Sequence, residues 1–341
     1  MMRNHEVTAA GLLLDENGSL REPGWSRSLV QKYTRSMIRA PKFRIKEWDY
    51  YLVVNDGFAA AFTISDDGYI GLQSVSLLVF GEKPWEHTET VLNPFPMGKL
   101  HLPEDSSAGV TEFRNKRLQM RFQPKDRQRR ITCHFENFMD GKALDADLVL
   151  EQPQMDTMVI ATPWPKKHAF YYNQKINCMR AAGEIRFDGK TYRFDPSSDF
   201  GTLDWGRGVW TYDNTWFWGS GNADVDGHAF GWNIGYGFGD TKAASENVLF
   251  WDGKAHKLDD VVFHIPERTY MDPWTFSSSD GRFEMTFQPV LDRAACLDFK
   301  VIVSDQHQVF GRMSGKAILD DGTEVTVSDV MCFAEKVHNK Y

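Results

Sequence analysis

Asp-Gly dipeptides recur along the chain and constrain its fold more than any other feature. The sequence contains eight of them, whose aspartates are Asp56, Asp67, Asp140, Asp188, Asp226, Asp252, Asp280 and Asp321. An Asp-Gly pair between two alternating apolar runs is a strong signal for a β-hairpin, because a type I′ turn needs positive φ at both central residues. Hardly any segment shows sustained helical periodicity, so the chain is predicted to be an antiparallel all-β protein.

Tryptophan and glycine are concentrated in residues 200–251, which hold six of the 11 tryptophans and 10 of the 27 glycines. Tryptophan brings a large apolar area, and glycine lets a backbone or a ligand approach closely. From 230 to 238 the even positions are bulky and the odd ones are glycine or Asn233, which is the period of a strand with one nearly bare face. Trp216, Trp218 and Asn222 share a face of the preceding strand. We interpret the bare face as a cavity lining; close packing against another element is the alternative.

Composition limits the class of protein. The 341 residues are 42% hydrophobic and 25% charged, as in an ordinary globular protein. A net charge of −8, with no basic run beyond residues 127–130, argues against nucleic acid as a partner. No secretory signal or long apolar run occurs, so we expect no transmembrane segment. Four scattered cysteines without CxxC spacing are typical of free thiols, and we expect a cytoplasmic protein.

The tripeptide Pro163-Trp164-Pro165 divides the predicted strands into two sets. Each set holds about eight strands, which is enough for a barrel wide enough to hold one small ligand. We therefore predict two tandem antiparallel β-barrels, because closure removes exposed sheet edges. The first covers residues 1–165 and includes an irregular N-terminal arm; the second covers residues 166–341. One large sandwich is the alternative.

Several long runs resemble a family catalogued as a domain of unknown function, DUF2804, over nearly the whole chain. They are KFRIKEWDYY (42–51), FYYNQK (170–175), LDWGRGVW (203–210), WFWGSG (216–221), NIGYGFGD (233–240), SENVLFWDGKAHKLDDVVF (245–263), HQVFGRMSG (307–315) and DDGTEVTVSDVMCFAEKV (320–337). That family is more distantly similar to two-barrel lipocalin-type proteins, namely carotenoid 1,2-hydratase (hydroxyneurosporene synthase), tocopherol cyclase and AttH-like proteins. The resemblance implies tandem lipocalin-like (calycin-like) barrels with an apolar pocket. The remoter relatives protonate an alkene with an acidic side chain, but no motif here identifies that acid.

Asp204 and Arg207 are the first candidates for catalysis, three residues apart in a glycine-bounded segment. A buried ion pair that fixes a loop is one interpretation. The other is an acid at the mouth of an apolar cavity, where desolvation raises a carboxyl pKa. This second interpretation requires Arg207 to point away from Asp204, because a nearby cation lowers a carboxyl pKa. Glu246, at the start of a strand, is the alternative acid; satisfying a turn together with Asn247 is its structural interpretation.

Ligand-binding candidates come mostly from the same stretch. They are Trp205, Trp210, Trp216, Trp218, Asn222, Trp232, Asn233, Tyr236, Asn247 and His264, with Tyr172 and Lys175 between the two predicted barrels. Tyr172 and Lys175 also suit a seal between barrels, and a single strand histidine such as His264 also suits a core. No metal-binding spacing and no nucleotide-binding loop followed by a helix occurs, so we expect neither a metal nor another cofactor.

Three classes of function are consistent with these residues. The first is a cofactor-independent hydratase, cyclase or isomerase that protonates an apolar isoprenoid-, lipid- or polyketide-like molecule. The second is a non-catalytic binder of a lipid-type ligand. The third is a carbohydrate-active protein, because tryptophan platforms and paired carboxylates also suit sugars. The expected partner is an apolar small molecule; peripheral membrane contact is compatible with the sequence, and the oligomeric state is left open.

Overall fold

A computed structural model describes residues 4–298 and 303–340. Within these ranges helix is limited to two short 3-10 helices, Arg35–Met37 and Lys42–Arg44, and no helix is long and apolar enough to cross a membrane. The strands in chain order are β1 Gly11–Leu12, β2 Gly24–Ser26, β3 Gln31–Lys32, β4 Ile45–Val54, β5 Phe58–Asp66, β6 Ile70–Val79, β7 Trp85–Pro94, β8 Thr111–Arg114, β9 Leu118–Lys125, β10 Gln128–Met139, β11 Lys142–Glu151, β12 Met158–Pro163, β13 Phe170–Phe187, β14 Lys190–Phe194, β15 Phe200–Val209, β16 Asp213–Val225, β17 His228–Tyr236, β18 Val248–Trp251, β19 Lys254–Lys257, β20 Val261–His264, β21 Trp274–Ser278, β22 Phe283–Asp298, β23 Val303–Ile318 and β24 Glu324–Lys340.

The Asp-Gly dipeptides lie at hairpins, but they do not all form the same turn. Four of the dipeptides, which begin at Asp140, Asp188, Asp226 and Asp252, each form a two-residue connection in which both residues have positive φ. The other four dipeptides lie in longer connections, where the aspartate keeps negative φ. Longer hairpin loops are commonly built on a type I turn, which needs a left-handed residue only at its end. The type I′ prediction therefore holds for the tight hairpins alone.

Two large antiparallel sheets and a small parallel pair of strands, β1 with β3, form the described part of the molecule. The first has 13 strands along the path β7-β6-β5-β4-β15-β13-β11-β10-β9-β8, with β2, β12 and β14 attached beside it. It curls around an apolar core that includes Phe62, Phe122, Phe135 and Trp205. The second has nine strands in the order β19-β18-β17-β16-β24-β23-β22-β21-β20 and curls around its own core. The predicted all-β fold of two lipocalin-like barrels is confirmed.

A third apolar cluster lies where the two sheets meet. It combines residues of both sheets, as in the edge-to-face contact of Tyr50 on β4 with Trp218 on β16, whose ring centroids are 6.0 Å apart. The sheets change over at residues 210–212, because β13 and β15 pair within the first sheet. The division into units 1–165 and 166–341 stays a prediction about domains, but the changeover between sheets comes later in the chain than residue 165.

Candidate active site

The alternation of β13 and β15 decides which of their side chains reach the junction between the sheets. The two strands pair in register, with Lys175 opposite Asp204. Because successive side chains point to opposite faces of a sheet, Lys175 and Asp204 face the second sheet, whereas Trp205 lies in the first core. Glycine at position 206 lets the Trp48 indole lie flat over β15, since a Cβ there would be 2.0 Å from the ring. The side of the first sheet that faces the second sheet is therefore aromatic, and Lys175 and Asp204 lie within it.

A cavity of ≈ 650 Å³ opens between the sheets at this surface. Its volume is in the range typical of small-molecule sites. Strands of both sheets contribute to it, together with the 237–247 loop. Its aromatic lining consists of Trp48, Tyr50, Tyr171, Trp210, Trp216, Trp218 and Phe238.

Lys175 and Asp204 form a salt bridge in the cavity wall. The Lys175 Nζ to Asp204 Oδ2 distance is 2.8 Å, and the Asn173 amide donates a hydrogen bond of 2.6 Å to Asp204 Oδ1. The ammonium also lies 3.8 Å from the ring centroid of Trp218. Both side chains are buried, with 1% and 10% of their area exposed. Both carboxyl oxygens of Asp204 therefore have a partner within the protein.

Glu246 is a buried carboxyl behind the same wall. The next residue, Asn247, is held by two backbone groups. Its side chain accepts a hydrogen bond from the Gly235 N–H at 2.7 Å and donates one to the Asp259 carbonyl at 2.8 Å. Glu246 itself is 1% exposed, and neither of its carboxyl oxygens forms a hydrogen bond with a described residue. Such unsatisfied buried groups are rare and need an explanation.

Tyr171 lies between Glu246 and the cavity. Its hydroxyl is beside the Glu246 carboxyl, outside hydrogen-bond geometry, and it has no partner among the described residues. Burial raises the pKa of Glu246 to about 7, although the Lys175 ammonium and the Tyr171 hydroxyl act in the opposite direction. Burial and the neighbouring Glu246 charge raise the pKa of Tyr171 well above its ordinary value. Tyr171 is therefore a neutral hydroxyl beside a carboxyl whose pKa is raised to about 7.

Glu335 is a second buried carboxyl in the cavity lining. It accepts hydrogen bonds from Trp216 Nε1 at 3.0 Å and from the Gln308 amide at 2.8 Å, and burial raises its pKa. Tyr171 belongs to the run at the crossover between the predicted barrels, which suits either a seal or a pocket, whereas Glu335 was not among the candidates. Tyr171 has the same parity as Lys175 on one strand, so the period-two rule could have selected it. Glu335 carried no comparable signal.

Arg207 does not reach the cavity. It points away from Asp204, as the acid hypothesis required, because residues three apart on a strand face opposite sides. Its guanidinium is fully buried in the first barrel, 2.9 Å from Asp49, and donates to the carbonyls of Trp48 and Pro103, both at 2.8 Å. These contacts tie the loop before β8 to the barrel. The structure thus gives Arg207 a structural environment rather than a catalytic one.

The structure separates the other predicted ligand-binding residues into two groups. Lys175, Trp210, Trp216 and Trp218 line the cavity. The remaining residues are placed elsewhere: Tyr172, Trp205 and Trp232 are in barrel cores, Tyr236 stacks on Phe217, His264 is exposed beside Ser277, and Asn222, Asn233 and Asn247 are hydrogen-bonded to protein groups. The bare face of β17 is thus filled by close packing, which was the alternative interpretation. The Trp218 indole N–H, for example, donates to Asn233 Oδ1 at 2.7 Å.

Comparisons with known proteins identify the family of the chain and solved structures that share its fold. The model of DUF2804, a domain of unknown function, matches residues 4–341. The chain belongs to the DUF2804 family. The resemblance stated from the sequence is therefore confirmed. No curated protein matches the sequence.

Solved structures similar to this DUF2804 protein include an AttH-type protein of Nitrosomonas europaea. It is 13% identical with a TM-score of 0.51, over 90% of this chain and 96% of that one. Kievitone hydratase from Nectria haematococca is 10% identical with a TM-score of 0.47, over 97% and 98% of the two chains. CghA is 9% identical with a TM-score of 0.45, over 97% of each chain. At these identities the AttH-type likeness concerns the fold alone.

Proposed function

We propose that this DUF2804 protein binds an apolar small molecule between its two barrels and hydrates, cyclises or isomerises it by acid catalysis without a cofactor. Glu246 is the proton source, and Tyr171 passes the proton to the ligand. The observation that carries the proposal is a pair of neighbouring buried groups, the Glu246 carboxyl and the hydroxyl of Tyr171, a residue of the cavity lining; neither forms a hydrogen bond with a described residue. Groups left unsatisfied in a folded protein are often those that meet a ligand or a proton.

The chemistry requires an acid of this kind. An alkene is a feeble base, so its acid must be neutral near working pH and shielded from water. Glu246 meets both conditions through its burial. Asp204, the first acid suggested by the sequence, has both carboxyl oxygens engaged, one by Lys175 and the other by Asn173. Glu246 therefore takes the place of Asp204 as the first candidate for the acid.

The proposed step balances within these groups. The Tyr171 hydroxyl gives its proton to one alkene carbon and takes the Glu246 proton, which leaves a carbocation and the Glu246 carboxylate. Trp210, Trp216 and Trp218 belong to the cavity lining, and a developing cation is attracted to electron-rich aromatic rings. Water or an internal nucleophile then adds to the cation, or a neighbouring carbon loses a proton. In each case one proton returns to Glu246 through Tyr171.

A non-catalytic binder is the second candidate, and one observation favours it. Glu246 is not itself part of the cavity lining, so the enzyme depends on Tyr171 as a relay, whereas a binder needs only the aromatic cavity. The carbohydrate-active class has less support. Its chemistry uses two carboxyl groups on either side of a sugar bond, but Asp204 is held by Lys175, and Glu335 by Trp216 and Gln308.

Deuterium incorporation distinguishes the enzyme from the binder. The full chain is incubated in D₂O with a panel of isoprenoid alkenes, and the products are analysed by mass spectrometry. We expect carbon-bound deuterium in a hydrated or isomerised product, and a loss of rate of about 10²–10⁴-fold in Glu246→Gln and Tyr171→Phe. Glu16→Gln, at an exposed surface position, is the matched control. Turnover that persists unchanged in both site variants would exclude this relay.

A further inference from the structure

A single row of polar side chains crosses six strands of the first sheet. The register of β13, β15, β4, β5, β6 and β7 places one cavity-lining residue of each strand directly beside the next, in the order Lys175, Asp204, Tyr50, Thr63, Ser74 and Thr90. One half of the row is the ion pair with Tyr50. The other half consists only of hydroxyl side chains. The cavity therefore has a polar stripe along the first sheet, and the second sheet contributes Trp216 and Trp218 together with polar residues such as Arg293 and Gln308.

The last three residues of this row carry hydroxyl groups without a protein partner. Thr63, Ser74 and Thr90 form no side-chain hydrogen bond to any residue that the structure describes. The adjacent pair is different: Ser76 and Thr88 are hydrogen-bonded to each other at 2.8 Å, and the Arg293 guanidinium donates to Ser76 at 2.9 Å. The contact with Arg293 comes from the second sheet, so this wall faces the other barrel across the cavity.

From this arrangement we infer that the ligand is facially amphipathic: an apolar ring system that carries hydrogen-bonding oxygens along one edge. The inference deepens the proposed function, because it rests on the same cavity. The ring faces pack on Trp216 and Trp218, and the oxygens meet the hydroxyls of Thr63, Ser74 and Thr90. Neighbouring strands are about 4.8 Å apart, so the three hydroxyls span about 10 Å, which matches oxygens spread over a fused ring system.

A plain hydrocarbon fits this wall poorly. It would remove water from the three hydroxyls and offer no acceptor or donor in return, which is the situation in which a polar site discriminates against an analogue that lacks oxygen. A simple fatty acid has a single polar end and would satisfy one end of the row only. The class that uses the whole row is therefore an oxygenated polycyclic or polyketide-like compound.

Two bile acids test the inference as probes. Cholate carries all its hydroxyls on one face of an apolar steroid, whereas lithocholate keeps the ring system and the carboxylate but only one hydroxyl. Binding to the full chain is measured by tryptophan fluorescence and calorimetry. We expect cholate to bind at least about tenfold more tightly than lithocholate. In the variant Thr63→Val/Ser74→Ala/Thr90→Val, we expect this preference to disappear through weaker cholate binding, with lithocholate binding retained.

Two further variants serve as controls for this comparison. Thr191→Val makes the same chemical change on β14, outside the cavity lining, and should leave the preference intact. Ser74→Ala alone removes the middle one of the three hydroxyls and should reduce the preference for cholate in part. A wild-type protein that does not prefer cholate, or a triple variant with the wild-type preference, overturns the inference. Both bile acids are measured by binding alone, without turnover, so failure of the acid mechanism leaves this binding result unaffected.

Discussion

Replacing Arg207 with leucine is expected to lower the free energy of unfolding by about 3–5 kcal/mol, because it leaves a buried charge without its partner. Arg207 is fully buried and bonded to Asp49, which is itself buried. The substitution also removes the donors to the carbonyls of Trp48 and Pro103. Chemical denaturation with the full chain measures the change.

The double variant Arg207→Leu/Asp49→Leu is the control for this first prediction. It removes both charges, so it should recover part of the lost stability, since a buried pair is often replaceable by apolar residues. Ligand binding by the folded fraction should be unchanged, because Arg207 lies outside the cavity lining. A stable Arg207→Leu protein that has lost ligand binding would show instead that Arg207 acts at the site.

Glu246→Gln is expected to stabilise the protein above neutral pH and to leave its stability unchanged under acidic conditions. The pKa of Glu246 is about 7 in the folded protein and near 4.5 in the unfolded chain. Between these values the folded state binds more protons, so wild-type stability falls as pH rises through this window. The difference between the two pKa values corresponds to about 3 kcal/mol above pH 7. Glutamine cannot ionise and escapes this penalty.

Unfolding curves of the wild type and of Glu246→Gln, measured in parallel from about pH 4.5 to about pH 8, test this second prediction. The difference between the two proteins isolates Glu246 from other buried carboxyls such as Glu335, whose pKa burial also raises. Glu16→Gln should follow the wild type throughout. Parallel curves for the wild type and Glu246→Gln would mean that the Glu246 carboxyl has an ordinary pKa in the folded protein.

Local sequence signals predicted the fold because hairpins and alternation are local properties. The Asp-Gly pairs located the turns, and the period of two identified β17 as a strand with a bulky core face. The pairing of β15 with β4, some 150 residues earlier, depends on register between distant segments, which no local pattern carries. For this reason no local signal locates the changeover between the sheets at residues 210–212.

The sequence predicted only part of the site, because the register between distant strands decides which side chains meet. Trp216, Trp218 and Asp204 were selected for their chemistry and do line the cavity. Trp205 and Arg207 have equally suggestive chemistry but the opposite parity on β15, so they face the first core. The partner of Asp204 is Lys175, 29 residues away, and only the register of two strands brings them together. The isolation of Glu246 from hydrogen-bond partners is a property of the three-dimensional packing alone.

The central claim, that Glu246 is a neutral acid at this cavity, is tested most directly by infrared difference spectroscopy of its carboxyl group. Spectra of the wild type and of Glu246→Gln are compared between about pH 5 and about pH 9, and the band of a protonated carboxylic acid is followed. We expect a band that persists to near neutral pH, disappears with a midpoint near 7, and is missing in Glu246→Gln. A wild-type protein whose Glu246-dependent band is already lost at pH 5 would contradict the account.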